Sequence, residues 1–202
     1  GVGRLMETLD TLGMRDDTIV IYTSDQGLCG GHHGMWGMGD HSRPIHTYEE
    51  AVHIPMIVSQ PGTIPEGTVF DERTCNYDFF PSFAELLDLE VDLPGSPGRS
   101  YAGALRGEPV AGWDGEIYHE FENVRMVRTD RWKYSWRHPD GPNELYDMEN
   151  DPGERENRAG DAELSSVEKE MRDRISGFFE CHADPEYDLW RDGRSKAGRL
   201  MV

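Results

Sequence analysis

The chain has 202 residues, with 39 Asp and Glu against 20 Lys and Arg, giving a formal charge of −19 at pH 7. A field of that sign repels phosphate backbones and anionic lipid, so nucleic acid is not an expected partner and an anionic substrate needs a local cation. No apolar run approaches the roughly 18 residues of a membrane span, and the three scattered cysteines do not describe a disulfide framework; the redox compartment and the localisation stay open.

In chain order, Val2, Leu5, Met6, Leu9 and Leu12 share one face of an amphipathic helix that Gly13 is placed to end. Residue 1 already lies within that pattern, so the element reads as cut rather than started. Thr18 to Thr23 is β-branched and aromatic without alternation, the pattern of a strand buried on both faces of a parallel sheet. The glycine-rich stretch from Ser24 to Gly39 is then a loop at the carboxyl end of that strand, where ligands bind in open α/β sheets. A helical turn is expected over Glu49 to His53, a second apolar strand over Ile54 to Val58, and a helix marked by Phe79, Phe80, Phe83, Leu86 and Leu87 with Pro81 in its first turn. Short strands over 117–121, 124–129 and 132–136 form an antiparallel meander, and Leu164, Val167, Met171, Ile175 and Phe178 are spaced for one more helix. The expected fold is α/β: part of a mostly parallel sheet flanked by helices over 1–112, a small antiparallel sheet with a helix over 113–183, and an extended tail over 184–202.

Asp25 and Gln26 follow directly on the first strand and offer hard oxygen ligands suited to Ca²⁺ or Mg²⁺, although a cap or Asx turn explains the same pair. Cys29, His32 and His33 have the makings of a zinc cluster if His41 or His46 supplies a fourth ligand; adjacent histidines rarely share one tetrahedral ion. His32 or His33 contacting substrate or protonating a leaving group is the stronger expectation, against a solvated loop histidine. Arg43 is the sole basic Lys or Arg between Arg15 and Arg73, and its planar fork suits an oxyanion, or an ion pair with Glu49 or Glu50. Trp132, Tyr134 and Trp136 alternate as one face of a strand that packs on a core. Glu149 to Glu154 lacks EF-hand spacing and reads as a solvated turn.

Taken in order, these segments resemble the C-terminal part of a sulfatase of the alkaline-phosphatase superfamily. Arg15 to Gly27 is similar to that family's strand ending in a metal-binding Asp with a neighbouring Asn, His or Gln. Gly31-His-His-Gly-Met-Trp-Gly37 and Tyr48 to Val58 resemble the loop and strand that follow, and Tyr77 to Leu87, Val127 to Tyr134 and Glu144 to Glu154 resemble later signatures. The resemblance implies hydrolysis of a small-molecule or carbohydrate sulfate ester by a formylglycine nucleophile beside Ca²⁺, with Asp25 and Gln26 as two metal ligands, His32 and His33 as catalytic candidates and Arg43 as a substrate contact. The family's C/S-x-P-x-R modification motif and its two early aspartates are absent from these residues. The nucleophile is therefore expected in a missing N-terminal part, and this chain alone is expected to be inactive. Met38 stands where the family has Lys in W-G-K-G, and no Lys precedes Lys133. That departure keeps a related phosphodiesterase or phosphonate monoester hydrolase as an alternative, beside a non-catalytic acidic calcium-binding module.

Overall fold

The computed structural model describes residues 1–191, and of His41 the backbone alone. The elements run α1 (Val2–Leu12), β1 (Val20–Thr23), β2 (Cys29–Gly30), β3 (Trp36–Gly37), α2 (Glu49–Val52), β4 (Met56–Ser59), α3 (Asn76–Leu86), α4 (Ala102–Leu105), β5 (Ile117–Phe121), β6 (Val124–Arg128), β7 (Trp132–Arg137), β8 (Glu144–Asp147) and α5 (Ser165–His182). They form two compact units, one of residues 1–25, 54–93 and 98–113, the other of residues 26–53, 94–97 and 114 onward. The class is mixed α/β with an antiparallel sheet in the second unit, as the order of element patterns anticipates.

In the first unit, α1 ends at Gly13 in the left-handed region, φ 66°, and the next amide, of Met14, reaches back to Leu9 O at 2.9 Å. No residue of α1 is buried. β1 and β4 pair antiparallel, Val20 opposite Ser59 and Thr23 opposite Met56, which corrects the parallel arrangement expected for these two strands. Apolar composition reports the burial a strand can tolerate; the direction of its neighbour is set by how the intervening chain returns. Nor is β1 buried on both faces, since Tyr22 is half exposed.

Helix α3 opens with reciprocal caps around Cys75 and Asp78. The Cys75 amide donates to Asp78 Oδ2 at 2.8 Å, while Oδ1 of this fully buried carboxylate accepts the Arg99 amide, also at 2.8 Å. Because the helix begins at Asn76, Pro81 lies in its second turn and not its first. Its ring offers no N–H to the Tyr77 carbonyl, and Gly98 approaches that carbonyl so closely that a Cβ there would collide with it.

The second unit is built on a meander in the order β5-β6-β7-β8, all antiparallel. One face carries Val127, Tyr134 and Leu145, and α5 covers it with Met171, Ile175 and Phe179. Trp132, Tyr134 and Trp136 pack with this core, as their alternation predicts. The other face carries Lys133, Ser135 and Arg137, all nearly or fully buried. It is covered by residues 45–49: Arg137 Nε donates to Ile45 O at 3.0 Å, the Thr47 and Ser135 hydroxyls lie 2.6 Å apart, and Lys133 meets Glu49. Residues 184–191, within the stretch expected as a tail, dock through Asp188, whose carboxylate pairs with Arg125 at 2.7 Å, and through Trp190 against Trp136. The remainder of that stretch, 192–202, lies outside the described residues.

Candidate functional site

A short hairpin, β2 with β3, pairs Cys29 with Gly37 and Gly30 with Trp36, and its tip carries the two histidines. Gly31 makes the turn possible at φ 97°, and His33 follows at φ 53°, uncommon for a residue with a side chain. That backbone turn separates the adjacent histidines. His32 is exposed and its Nδ1 accepts the Gly30 amide at 3.3 Å. His33 is turned inward: its ring stacks on Tyr48 at 3.7 Å between centroids and 6° between planes, and Nε2 lies 3.6 Å from a Glu50 oxygen.

The support behind His33 is a buried ion network. Lys133, with a fully buried side chain, places Nζ 2.9 Å from Glu49 Oε1 and 2.8 Å from Glu154 Oε1. Glu154 Oε2 accepts the amide of Glu49 at 2.6 Å, which anchors the start of α2 and so the adjacent Glu50. One ammonium serves two carboxylates, and they divide it unequally. Burial raises the carboxyl of Glu154 despite Lys133, whereas for Glu49 the charge and hydrogen bond of Lys133 outweigh burial and hold it below the ordinary value. The expectation that Glu149 to Glu154 is a solvated turn fails at its last residue, which is 3 % exposed and held at φ 49°.

His33, Glu50 and Glu154 each offer a ligand atom within 4.8 Å of the others. Lys133 already supplies that cluster with a cation, so the arrangement reads as a positioning network for His33. Cys29, His32 and His33 form no metal-ligand cluster among the described residues. Cys29 is fully buried, and burial, reinforced by the charges of Glu50 and Glu154, raises its thiol and disfavours the thiolate a zinc ion needs. The His41 side chain, one of the two suggested fourth ligands, lies outside what the structure describes.

Asp25 is the last residue of its stretch of the first unit and Gln26 the first of the second. Asp25 is exposed, with its backbone carbonyl accepting from Asn76 Nδ2 at 3.3 Å. Gln26 turns its amide nitrogen to the sulfur of Met38. As a donor set, a carboxylate and an amide oxygen suit Ca²⁺. Arg43 is 65 % exposed along its side chain; Nη1 donates to the carbonyls of Asp40 and Ser42, and Nη2 lies 3.9 Å from Glu122 rather than beside Glu49 or Glu50. Glu50, Glu154, Tyr48 and Lys133 are the residues that sequence reasoning passed over. The signal that could have found them is the pairing of a basic residue on an alternating strand with acidic residues in two distant turns.

A mixed α/β unit followed by a four-stranded antiparallel sheet, with a histidine-bearing glycine-rich hairpin held against that sheet, is the architecture of enzymes of the alkaline-phosphatase superfamily. Residues 34–180 match the family described as N-sulphoglucosamine sulphohydrolase, C-terminal, and the chain belongs to this sulfatase family. It is 32% identical over 199 residues to an N-acetylglucosamine-6-O-sulfatase of Bacteroides thetaiotaomicron, covering 93% of this chain and 34% of that protein. A solved structure described as a complex with its substrate D-glucosamine-2-N,6-O-disulfate superposes with a TM-score of 0.77 at 29% identity, over 90% of this chain and 38% of the other. A phosphonate monoester hydrolase of Agrobacterium radiobacter superposes with a TM-score of 0.78 at 24% identity, over 97% and 41%, which shows a shared fold alone. The chain thus spans about a third of the length of the sulfatase it matches. No helix among the described residues is long and apolar enough to cross a membrane.

Proposed function

We propose that this chain forms one side of the active site of a sulfatase that hydrolyses the sulfate ester of a carbohydrate, working with a formylglycine nucleophile supplied by residues outside these 202. The observation that supports it best is the family match running from Gly34 through the loop, the sheet and the ion network that holds the histidine hairpin. The sulfated-sugar relatives support the substrate class. Asp25 and Gln26 would hold Ca²⁺, which when bound withdraws charge from the sulfate oxygens. His33, stacked on Tyr48 with Nε2 3.6 Å from Glu50, would be the proton carrier to the leaving oxygen. His32, exposed at the same tip, and Arg43, whose guanidinium reaches solvent, would meet the substrate.

In a longer chain that carries the nucleophile, Asp25→Ala is expected to lower aryl-sulfate hydrolysis by at least 100-fold and to weaken Ca²⁺ binding, while the 202-residue chain alone shows no turnover. Turnover by these residues alone would refute the outside nucleophile, and unchanged hydrolysis by Asp25→Ala would favour a non-catalytic calcium module. The phosphonate hydrolase reading keeps support from Met38, which removes a cation the sulfatases carry. A higher rate on a phosphonate monoester than on an aryl sulfate would select it.

A further inference from the structure

Helix α2 is the element on which two parts of the proposed site meet. The Gly27 amide donates to Ala51 O at 2.9 Å, and a Cβ on Gly27 would overlap the Glu50 carbonyl, so the residue after Gln26 lies directly against this turn. From the same turn the Glu50 side chain faces the hairpin, with Oε2 at ion-pair distance, 3.6 Å, from His33 Nε2. That oxygen is buried and accepts no hydrogen bond, a cost that a neighbouring cation offsets. The other carboxylates nearby are engaged elsewhere: Glu49 and Glu154 both hold Lys133, and Glu154 also accepts the Glu49 amide. The anchoring of α2 therefore runs through Glu49 and Glu154 and makes no use of the Glu50 carboxylate. His33 supplies the missing cation when its ring carries a second proton. Tyr48 covers one face of that ring and Glu50 takes Nε2, yet the side chain keeps 16 % exposure, so it is held without being sealed. Nδ1 is the nitrogen left to meet a substrate.

We infer that Glu50 is the positioning residue of the proton donor: it holds the imidazolium of His33 with Nε2 toward its carboxylate, so that the proton given to the leaving oxygen comes from Nδ1. The inference rests on the reading of His33 as proton carrier in a sulfatase and deepens it. As the bond from sulfur to the leaving oxygen breaks, the sulfur passes to the nucleophile outside these residues and the electron pair stays on the oxygen. That oxygen takes the Nδ1 proton, and the ring is left neutral with its remaining proton on Nε2, facing Glu50. The arrangement matters most where the leaving oxygen needs a proton, as the alkoxide of a sugar does.

The test compares two esters in a longer chain that carries the nucleophile: N-acetylglucosamine 6-sulfate, and 4-nitrophenyl sulfate, whose phenolate leaves without a proton. Glu50→Ala should lower the ratio of the two kcat values, sugar over aryl, by about 30-fold, within what a positioned general acid contributes. His33→Ala should lower it at least as far, and the double variant no further than His33→Ala alone, because Glu50 acts through His33. In the 202-residue chain, ¹⁵N NMR of the ring should place the proton of neutral His33 on Nε2. An equal loss on both esters in Glu50→Ala, additive losses in the double variant, or a neutral ring protonated on Nδ1 would each overturn the inference. A ratio unmoved by His33→Ala would remove His33 as the proton carrier, and the inference with it. A longer chain that hydrolyses neither ester would overturn the sulfatase reading, and the ring proton of the 202-residue chain then decides whether the pairing of Glu50 with His33 stands.

Discussion

At the level of single residues, the hairpin depends on how closely backbone approaches backbone. The Gly27 amide donates to Ala51 O at 2.9 Å, and a Cβ on Gly27 would overlap the Glu50 carbonyl. Gly39 meets the His46 carbonyl in the same way. Gly27→Ala should therefore destabilise the chain by about 2 kcal/mol, the usual range for overpacking a close contact. Urea unfolding reads this directly, and a midpoint equal to wild type would show that α2 can move aside at no cost. The glycine richness of residues 24–39 shows in the sequence as a loop, but composition does not tell a flexible glycine from one holding two strands of backbone together. Likewise His32 and His33 are equivalent as letters; the positive φ of His33 sends one ring to Tyr48 and Glu50 and leaves the other at the surface.

At the level of elements, β7 carries the lesson. Its alternation of Trp132, Tyr134 and Trp136 with Lys133, Ser135 and Arg137 reads as a strand with an aromatic face that packs on a core, opposite a polar face. The apolar half of that reading is right. The polar face is buried as well, because residues 45–49 and Glu154 bring a backbone carbonyl, a hydroxyl and two carboxylates to meet it. Each polar side chain has its complement in a segment far away in the chain, and spacing within one strand does not report that. Removing Lys133 leaves the buried Glu154 without its cation and Glu49 with Arg128, 3.8 Å away, so Lys133→Met should cost about 3–5 kcal/mol. Adding Glu154→Gln to that variant should restore part of the loss by removing one orphaned charge, and a double variant no more stable than Lys133→Met would count against the ion network as the anchor of α2.

For the whole molecule, the charge of −19 meets a small number of buried basic groups, and pH acts through them. Burial, with a contribution from the charge of Lys133, lowers His119 to about 4, and burial lowers His46 too. A histidine depressed in the fold binds its proton more readily unfolded, so its contribution is intact above the unfolded value near 6.5 and is lost as pH falls toward about 4. For His119 alone the loss is about 3 kcal/mol at most across that window. His119→Gln should lose less stability than wild type between pH 7 and pH 4.5 in parallel unfolding titrations, and identical losses would remove His119 as the acid-sensitive group. The exposed apolar residues of α1 and of β1 and β4, among them Leu5, Leu12 and Ile57, also belong to this scale.

The amino-acid order determined by itself helices α1, α3 and α5, strands β1 and β4 to β7, the α5 face of the core, the absence of a long apolar span and, through ordered local signatures, the sulfatase resemblance. All of these rest on periodicity, turn chemistry or short contiguous patterns. The tertiary structure decided the antiparallel pairing of β1 with β4, the burial of Lys133 and Glu154, and the separation of His33 from His32. Each of those rests on groups distant in the chain satisfying one another's charge, hydrogen bonds or shape, and such pairings exist only once the chain has folded.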